Sequence, residues 1–234
     1  MDKKSLLSNS AIKRILTDVK HIMKNPLDDN GIYYMHNEEN LYNGKALIVG
    51  PSDTPYYSGF YLFDICFPAD YPFSPPKIIF CTQGEGIRFN PNLYTNGKVC
   101  LSILNTWAGE QWSSIQTLTS ILLTISSILS KNPLLNEPCV KEDYPDLNVY
   151  NDIIAYSNIK ISFLGIFTKK YLDPQFIQFY PIIEKIFHKN REALVLFCIK
   201  KAGELAANSV RVLHIYRLNV HMNYHQLIED LTTC

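Results

Sequence analysis

The sequence predicts an α+β fold: an N-terminal helix, a four-stranded antiparallel meander, a loop segment that carries the chemistry, and helices after it. An all-helical C-terminal extension is expected at the end. Three observations lead there. Apolar residues recur at helical spacing near the N-terminus and again from about residue 115 onward. Between them lie four short strand-like runs separated by turn residues. Residues 84–112 then show almost no period, and so long an irregular stretch inside a compact domain is usually functional.

Taken in order, Ile12, Ile15, Leu16, Val19, Ile22 and Met23 share one face of a helix over 10–24. Ser8 or Ser10 is its expected cap and Pro26 its stop. The opposite face holds Lys13, Arg14, Lys20 and Lys24 against one acid, Asp18. That face reads either as solvated or as a dock for an acidic partner. Strands are expected over 31–35, 45–49, 59–67 and 77–80, and in the third Tyr61, Phe63, Ile65 and Phe67 alternate onto one face. Short loops between consecutive strands make a meander. Ile115, Leu118, Ile121, Leu122, Ile125, Ile128 and Leu129 then mark a core helix, with Ser113 or Ser114 as cap and Pro133 beyond its end. Residues 149–171 look helical again. Beyond them, Pro174, Pro181, Lys189-Asn190, Gly203 and Asn219 punctuate several more expected helices. Their apolar stripes, Ile182, Ile183, Ile186 and Phe187, then Leu194, Val195, Phe197 and Cys198, need a surface to bury against. The helical end after residue 149 is the nearest candidate, and pairing of two copies is the alternative.

Composition narrows the classes. A chain of 234 residues with 47% hydrophobic content makes one domain, or one domain plus an appended piece, with a sizeable core. Twenty-two Lys+Arg balance 22 Asp+Glu, which argues against holding nucleic acid by charge alone. No apolar run approaches a membrane span, and the N-terminal residues lack the apolar core of a signal peptide. The six cysteines, at 66, 81, 100, 139, 198 and 234, form no Cys-x-x-Cys and no zinc spacing. No metal site is expected, and reduced thiols suit a cytoplasmic or nuclear protein.

One cysteine stands apart. Cys100 follows an Asn90-Pro91-Asn92 turn and an Asn96-Gly97 turn, both in the irregular segment. A thiol needs little activation to act as a nucleophile. Acyl transfer then needs a donor aimed at the developing oxyanion, which a side-chain amide in a proline-fixed turn can supply. None of the six histidines lies in this segment, which argues against a Cys-His hydrolase. Local chemistry alone leaves both readings of Cys100 open, nucleophile and packed thiol.

The segment resembles the active-site region of ubiquitin-conjugating enzymes. That family carries a His-Pro-Asn turn with its catalytic cysteine eight residues after the Asn, and Asn92 to Cys100 is eight residues here. Tyr71-Pro72-Phe73-Ser74-Pro75-Pro76 matches the family's Tyr-Pro-Phe-x-Pro-Pro stretch. Gly50-Pro51, Pro55-Tyr56 and Gly59 match a turn before the third strand, and Trp112-Ser113 matches the Trp that heads the long helix. The resemblance covers roughly residues 8–172. Residues 89–107, with Asn136-Glu137-Pro138, are most similar to the C-terminally extended, Z-type branch. Two departures stand out: Asn90 replaces the usual histidine, and residues 108–111 are inserted between Trp107 and Trp112.

The resemblance implies a conjugating core over 8–172 and an extension over 173–234. It implies that Cys100 accepts ubiquitin or a ubiquitin-like protein from an activating enzyme as a thioester. A lysine amine of a protein substrate then attacks, usually with a ubiquitin ligase. Asn92 is the implied oxyanion donor or brace of the loop, Glu137 the acid that helps the lysine lose its proton, and Asn90 a brace of the turn. Lys13, Arg14, Phe73, Trp112, Ser113 and Ser114 are the implied dock for activating enzyme and ligase. No cofactor is implied, because the activating enzyme consumes the ATP, and a monomer is expected. The alternatives are an inactive family variant acting as a scaffold and an unrelated cysteine hydrolase.

Overall fold

In the computed structural model, which describes residues 9–205 and 209–234, α1 (Asn9–Lys24) opens the chain. Ser8 and the N-terminal residues read above lie outside the described residues, and Ser10 already sits within α1. Ala11, Ile15, Val19 and Ile22 form its buried stripe, while Leu16 and Met23 are exposed. The stripe is therefore narrower than the apolar pattern implies. Asp18 is not on a solvated face: it is buried and accepts a hydrogen bond from the Tyr71 hydroxyl.

Four strands follow as a meander: β1 (Ile32–His36), β2 (Asn43–Val49), β3 (Phe60–Cys66) and β4 (Lys77–Phe80), in the order β1-β2-β3-β4. β1 and β2 pair antiparallel with Ile32 opposite Ile48, and β3 and β4 pair antiparallel with Phe63 opposite Phe80. All four lie within a residue or two of the runs expected from the sequence. The first half of β3 is buried on both faces, because Phe60 and Leu62 are as inaccessible as Tyr61 and Phe63, whereas towards its end Asp64 is half-buried and Cys66 exposed.

The chain divides into two compact units. One holds the described chain up to Ile48, with Leu62–Cys81 and Asn92–Ile128; the other holds Val49–Tyr61, Thr82–Pro91 and Leu129–Cys234. In the first, α1 packs on α2 (Leu118–Ile128), and α2 packs on β1. α2 starts later than the apolar pattern because Thr117 caps it. The Ser120 amide donates to Thr117 Oγ1 (3.2 Å) and the Thr117 amide donates to Ser120 Oγ (3.0 Å), a reciprocal capping box. Ile115 precedes that cap and is 84% exposed, so it is not core, and neither Ser113 nor Ser114 is the cap.

In the second unit, α3 (Leu147–Ser157) runs on into a π-helical stretch, Asn158–Gly165. Asn158 is buried at the join. Its amide donates to Tyr57 O (2.9 Å), and its Oδ1 accepts from the Tyr61 hydroxyl (2.6 Å). Only glycine fits opposite: a Cβ at Gly59 would stand 1.7 Å from that Oδ1. α4 (Tyr180–Glu204) passes straight through Lys189-Asn190, which does not break it. Phe187 on α4 stacks on Phe167 and Phe163, with ring centroids 3.6 and 4.7 Å apart, so the tail buries its stripe on the helical end after residue 149, as the sequence implied.

The extension is not all helical. β5 (Ser209–Leu213) and β6 (Leu218–Met222) form an antiparallel hairpin before α5 (Tyr224–Thr233), which packs on α4. The cause is a change of period. Leu213, Val220 and Met222 turn inward, while Val210 and Val212 alternate with them outward, and Arg217 adopts the left-handed conformation (φ 52°) that closes the turn. No helix among the described residues is long and apolar enough to cross a membrane.

Candidate active site

The loop around Cys100 is fastened by polar groups at every bend. At the Asn96-Gly97 turn the Gly97 amide donates to Tyr94 O, and the Tyr94 amide donates to Lys98 O, each at 3.0 Å. The returning chain bridges Leu93 to Val99, and the Cys100 amide then donates to Asn92 O (2.8 Å). On that rung the Asn92 side-chain amide donates to Cys100 O (2.7 Å). Two of the expected site residues are thus joined by both backbone and side chain. An asparagine amide has two N–H donors, and one of them holds the Cys100 carbonyl here. Serving a developing oxyanion requires the other, or a rotation of the side chain.

Past Cys100, a 3-10 turn (Ser102–Leu104) leads to Asn105 in the left-handed conformation (φ 56°). Thr106 folds back beneath the cysteine. Its Oγ1 accepts from the Leu101 amide (2.8 Å) and shares its own proton between Val99 O (2.9 Å) and Leu101 O (3.0 Å). Its carbonyl accepts from the Cys100 thiol (3.1 Å). Cys100 itself is only 3% exposed. Thr106 was not among the expected site residues, and its only signal was membership of the 89–107 match.

Asn90 and Glu137 belong to the second unit, and each has partners there. Asn90 is fully buried. Its amide donates to the Tyr56 hydroxyl (2.9 Å), which donates in turn to Phe89 O (2.7 Å). Burial raises the Tyr56 phenol well above its ordinary range, so it remains a hydroxyl able to donate. Amide, phenol and carbonyl in series are the geometry of a brace. The Glu137 carboxylate accepts from the Tyr216 hydroxyl and stands 3.7 Å from the Arg88 guanidinium.

The expected partner-binding residues gather in the first unit. Phe73 is 75% exposed, and Lys13, Ser113 and Ser114 are exposed. Trp112 is half-buried; its indole donates to Pro72 O (2.7 Å), and its ring lies 6.0 Å from that of Tyr71. Arg14 is turned inward for internal work. It pairs with Asp18 (3.1 Å), donates to Ser114 O (2.6 Å) and also donates to Gln116 O. The inserted residues 108–111 form an exposed loop in which Gln111 donates to the carbonyls of Trp107 and Gly109 (3.0 and 3.1 Å).

Comparison with known proteins agrees with this geometry. The family model for the ubiquitin-conjugating enzyme matches residues 14–151. The chain is 42% identical over 158 residues to ubiquitin-conjugating enzyme E2 Z of Xenopus tropicalis, covering 66% of this chain and 50% of that one. It is 40% identical over 192 residues to the probable ubiquitin-conjugating enzyme protein 17 of Caenorhabditis elegans, covering 78% of this chain and 26% of that one. It is 47% identical over 115 residues to the dual E2 ubiquitin-conjugating enzyme/E3 ubiquitin-protein ligase BIRC6 of Homo sapiens, covering 47% of this chain and 2% of that one. The chain spans about half the length of the E2 Z proteins it matches. With a family match over more than half its residues, a meander between flanking helices, and a cysteine loop closed on Asn92, the chain belongs to the ubiquitin-conjugating enzyme family, near its Z-type branch.

Proposed function

We propose that this chain is an active conjugating enzyme, with a catalytic core over 8–172 and an accessory extension over 173–234, working in the cytoplasm or nucleus. Cys100 Sγ attacks the C-terminal glycine carbonyl of ubiquitin or a ubiquitin-like protein, carried as a thioester on an activating enzyme. A new C–S bond forms and the activating enzyme's thiolate leaves. A substrate lysine Nζ then attacks the same carbonyl. An amide bond forms, the bond to Cys100 Sγ breaks, and the proton lost by the amine passes to Glu137 or to water. Asn92 steadies the loop and the charge on the carbonyl oxygen, and Asn90 braces the turn. A ligase docks on the surface around Phe73, Lys13 and Ser113.

The observation that carries this reading is the Asn92 amide on the Cys100 carbonyl at 2.7 Å, which ties an amide donor to the nucleophile's own residue. The test is to incubate the chain with ATP and a panel of activating enzymes and modifiers. A reductant-sensitive adduct is the expected result. Binding without any adduct identifies a scaffold instead.

A further inference from the structure

The turn of the C-terminal hairpin, residues 214–217, carries a tyrosine into a polar network of the second unit. Tyr216 donates from its hydroxyl to Glu137, and the Arg88 guanidinium lies over its ring, 4.5 Å from the centroid. Arg88 faces Glu137 at 3.7 Å and also donates to Pro91 O (2.5 Å), the carbonyl of the residue just before Asn92. Tyr150 closes the network from α3. Its hydroxyl donates to Arg88 O (2.8 Å), and its ring meets that of Tyr216 edge-on at 5.8 Å. The turn is itself pinned, because the His214 amide donates to Asp146 Oδ2 (3.2 Å). None of the site residues expected from the sequence lies in this tail.

We propose that Tyr216 is a positioning residue for transfer to lysine. Its hydroxyl and ring hold the Arg88–Glu137 pair, and Arg88 holds the Pro91 carbonyl, so the tail steadies the Asn90-Pro91 stretch of its own unit. The inference rests on the conjugating function proposed above, since the role of Glu137 belongs to that reading. It gives the hairpin a use that a purely accessory tail lacks. A charge-assisted hydrogen bond keeps a carboxylate in one orientation, and proton transfer depends steeply on orientation. Loading of Cys100 needs no lysine deprotonation and so depends far less on Glu137.

The experiment separates the two half-reactions. Wild type, Tyr216→Phe, Glu137→Gln and the double variant are charged, then chased with free lysine under single-turnover conditions. Tyr216→Phe keeps the ring beneath Arg88 and removes only the hydroxyl. Discharge is expected to slow roughly 10-fold with loading little changed, the scale of one hydrogen bond to a charged group. In the Glu137→Gln background the same change is expected to add little, because the two residues act as one unit. Equal slowing of loading and discharge, or full effects that multiply in the double variant, overturns the proposal. If Tyr216→Phe fails to fold, Arg88→Lys provides the second arm. It keeps the charge but loses the planar fork, and the same selective loss of discharge is expected. Wild type that charges with no modifier overturns the conjugating reading and this inference with it. Wild type that charges but shows no coupling overturns this inference alone.

Discussion

Cys100 and Cys198 are both buried thiols, and the regions around them are built on opposite plans. Cys100 sits in a stretch without periodic structure, where Asn92, Thr106 and backbone groups fasten each bend. Cys198 sits in the C-terminal third of α4, where packing holds the side chains and burial pushes its thiol up to about 12. A helix satisfies its own backbone, so the thiol is held there by packing and burial. A loop must satisfy its backbone with side chains, and those same side chains are donors that chemistry can use.

The sharpest test removes each thiol in turn. Cys100→Ala is expected to abolish charging, while Cys198→Ala, Cys66→Ala and Cys139→Ala keep it. Cys100→Ser should give an oxyester that survives reductant. Undiminished charging of Cys100→Ala would sink the comparison and the proposed function together.

Next come the groups that hold each region. Asn92→Ala is expected to slow transfer to lysine by roughly 10²–10³, about 2.7–4 kcal/mol, with a smaller effect on loading and little on stability. Phe187→Ala removes a fully buried ring from the stack with Phe163 and Phe167, and about 3–5 kcal/mol of stability should go with it. Its folded fraction should still charge at the wild-type rate. Denaturation midpoints set beside single-turnover rates read both effects, and a crossed result would erase the distinction between the two regions.

A smaller effect lies in the titration of Cys198. The unfolded thiol ionises near 9.0, while the folded one stays protonated to about 12. Its contribution to stability is therefore fully present below pH 9 and is lost as pH rises from there towards 12. Tyr56 and Tyr61, also raised by burial, add to the same alkaline loss from about pH 10 upward. In Cys198→Ala the slope that begins near pH 9 should become shallower, and what remains there belongs to Cys66, whose thiol burial also raises. Native Cys198 should resist alkylation at pH 9 until denaturant is added.

The two regions were also legible to different degrees. The meander, α1 and the packing of Phe187 follow from periodicity, because burial on one face imposes a period. The meeting of Asn92 and Cys100 was legible as a spacing of eight residues, since two short turns bring such ends together. Thr106 was not legible from pattern, because a hydroxyl that serves two carbonyls and an amide looks like any loop threonine in sequence. The hairpin of the tail was missed because its five-residue strands follow a long helix and carry too few turns of either period to decide. Tyr216 was missed for the same reason. Its partners, Arg88 and Glu137, are 128 and 79 residues away, and only the fold brings them together.

The finest comparison is between neighbours on α1. Sequence placed Lys13 and Arg14 together on one basic face, but the structure gives them different work. Arg14 spends its donors on Asp18, Ser114 O and Gln116 O, so it belongs to the polar fastening between α1 and the segment that leads into α2. Arg14→Glu should therefore cost on the order of 2–3 kcal/mol of stability, because it deletes these bonds and sets a second carboxylate beside the buried Asp18. Lys13 is exposed and sits one residue away. Lys13→Glu should leave stability within about 0.5 kcal/mol and slow charging only through the encounter with an acidic surface of the activating enzyme. That slowing should shrink as ionic strength rises, since exposed charges are screened over about 10 Å at 0.1 M salt. Charging rates over a salt series, set beside thermal unfolding of both variants, separate the roles. A salt-independent defect in Lys13→Glu would mean that its charge does not steer the partner, and the dock would then rest on the apolar side chain of Phe73.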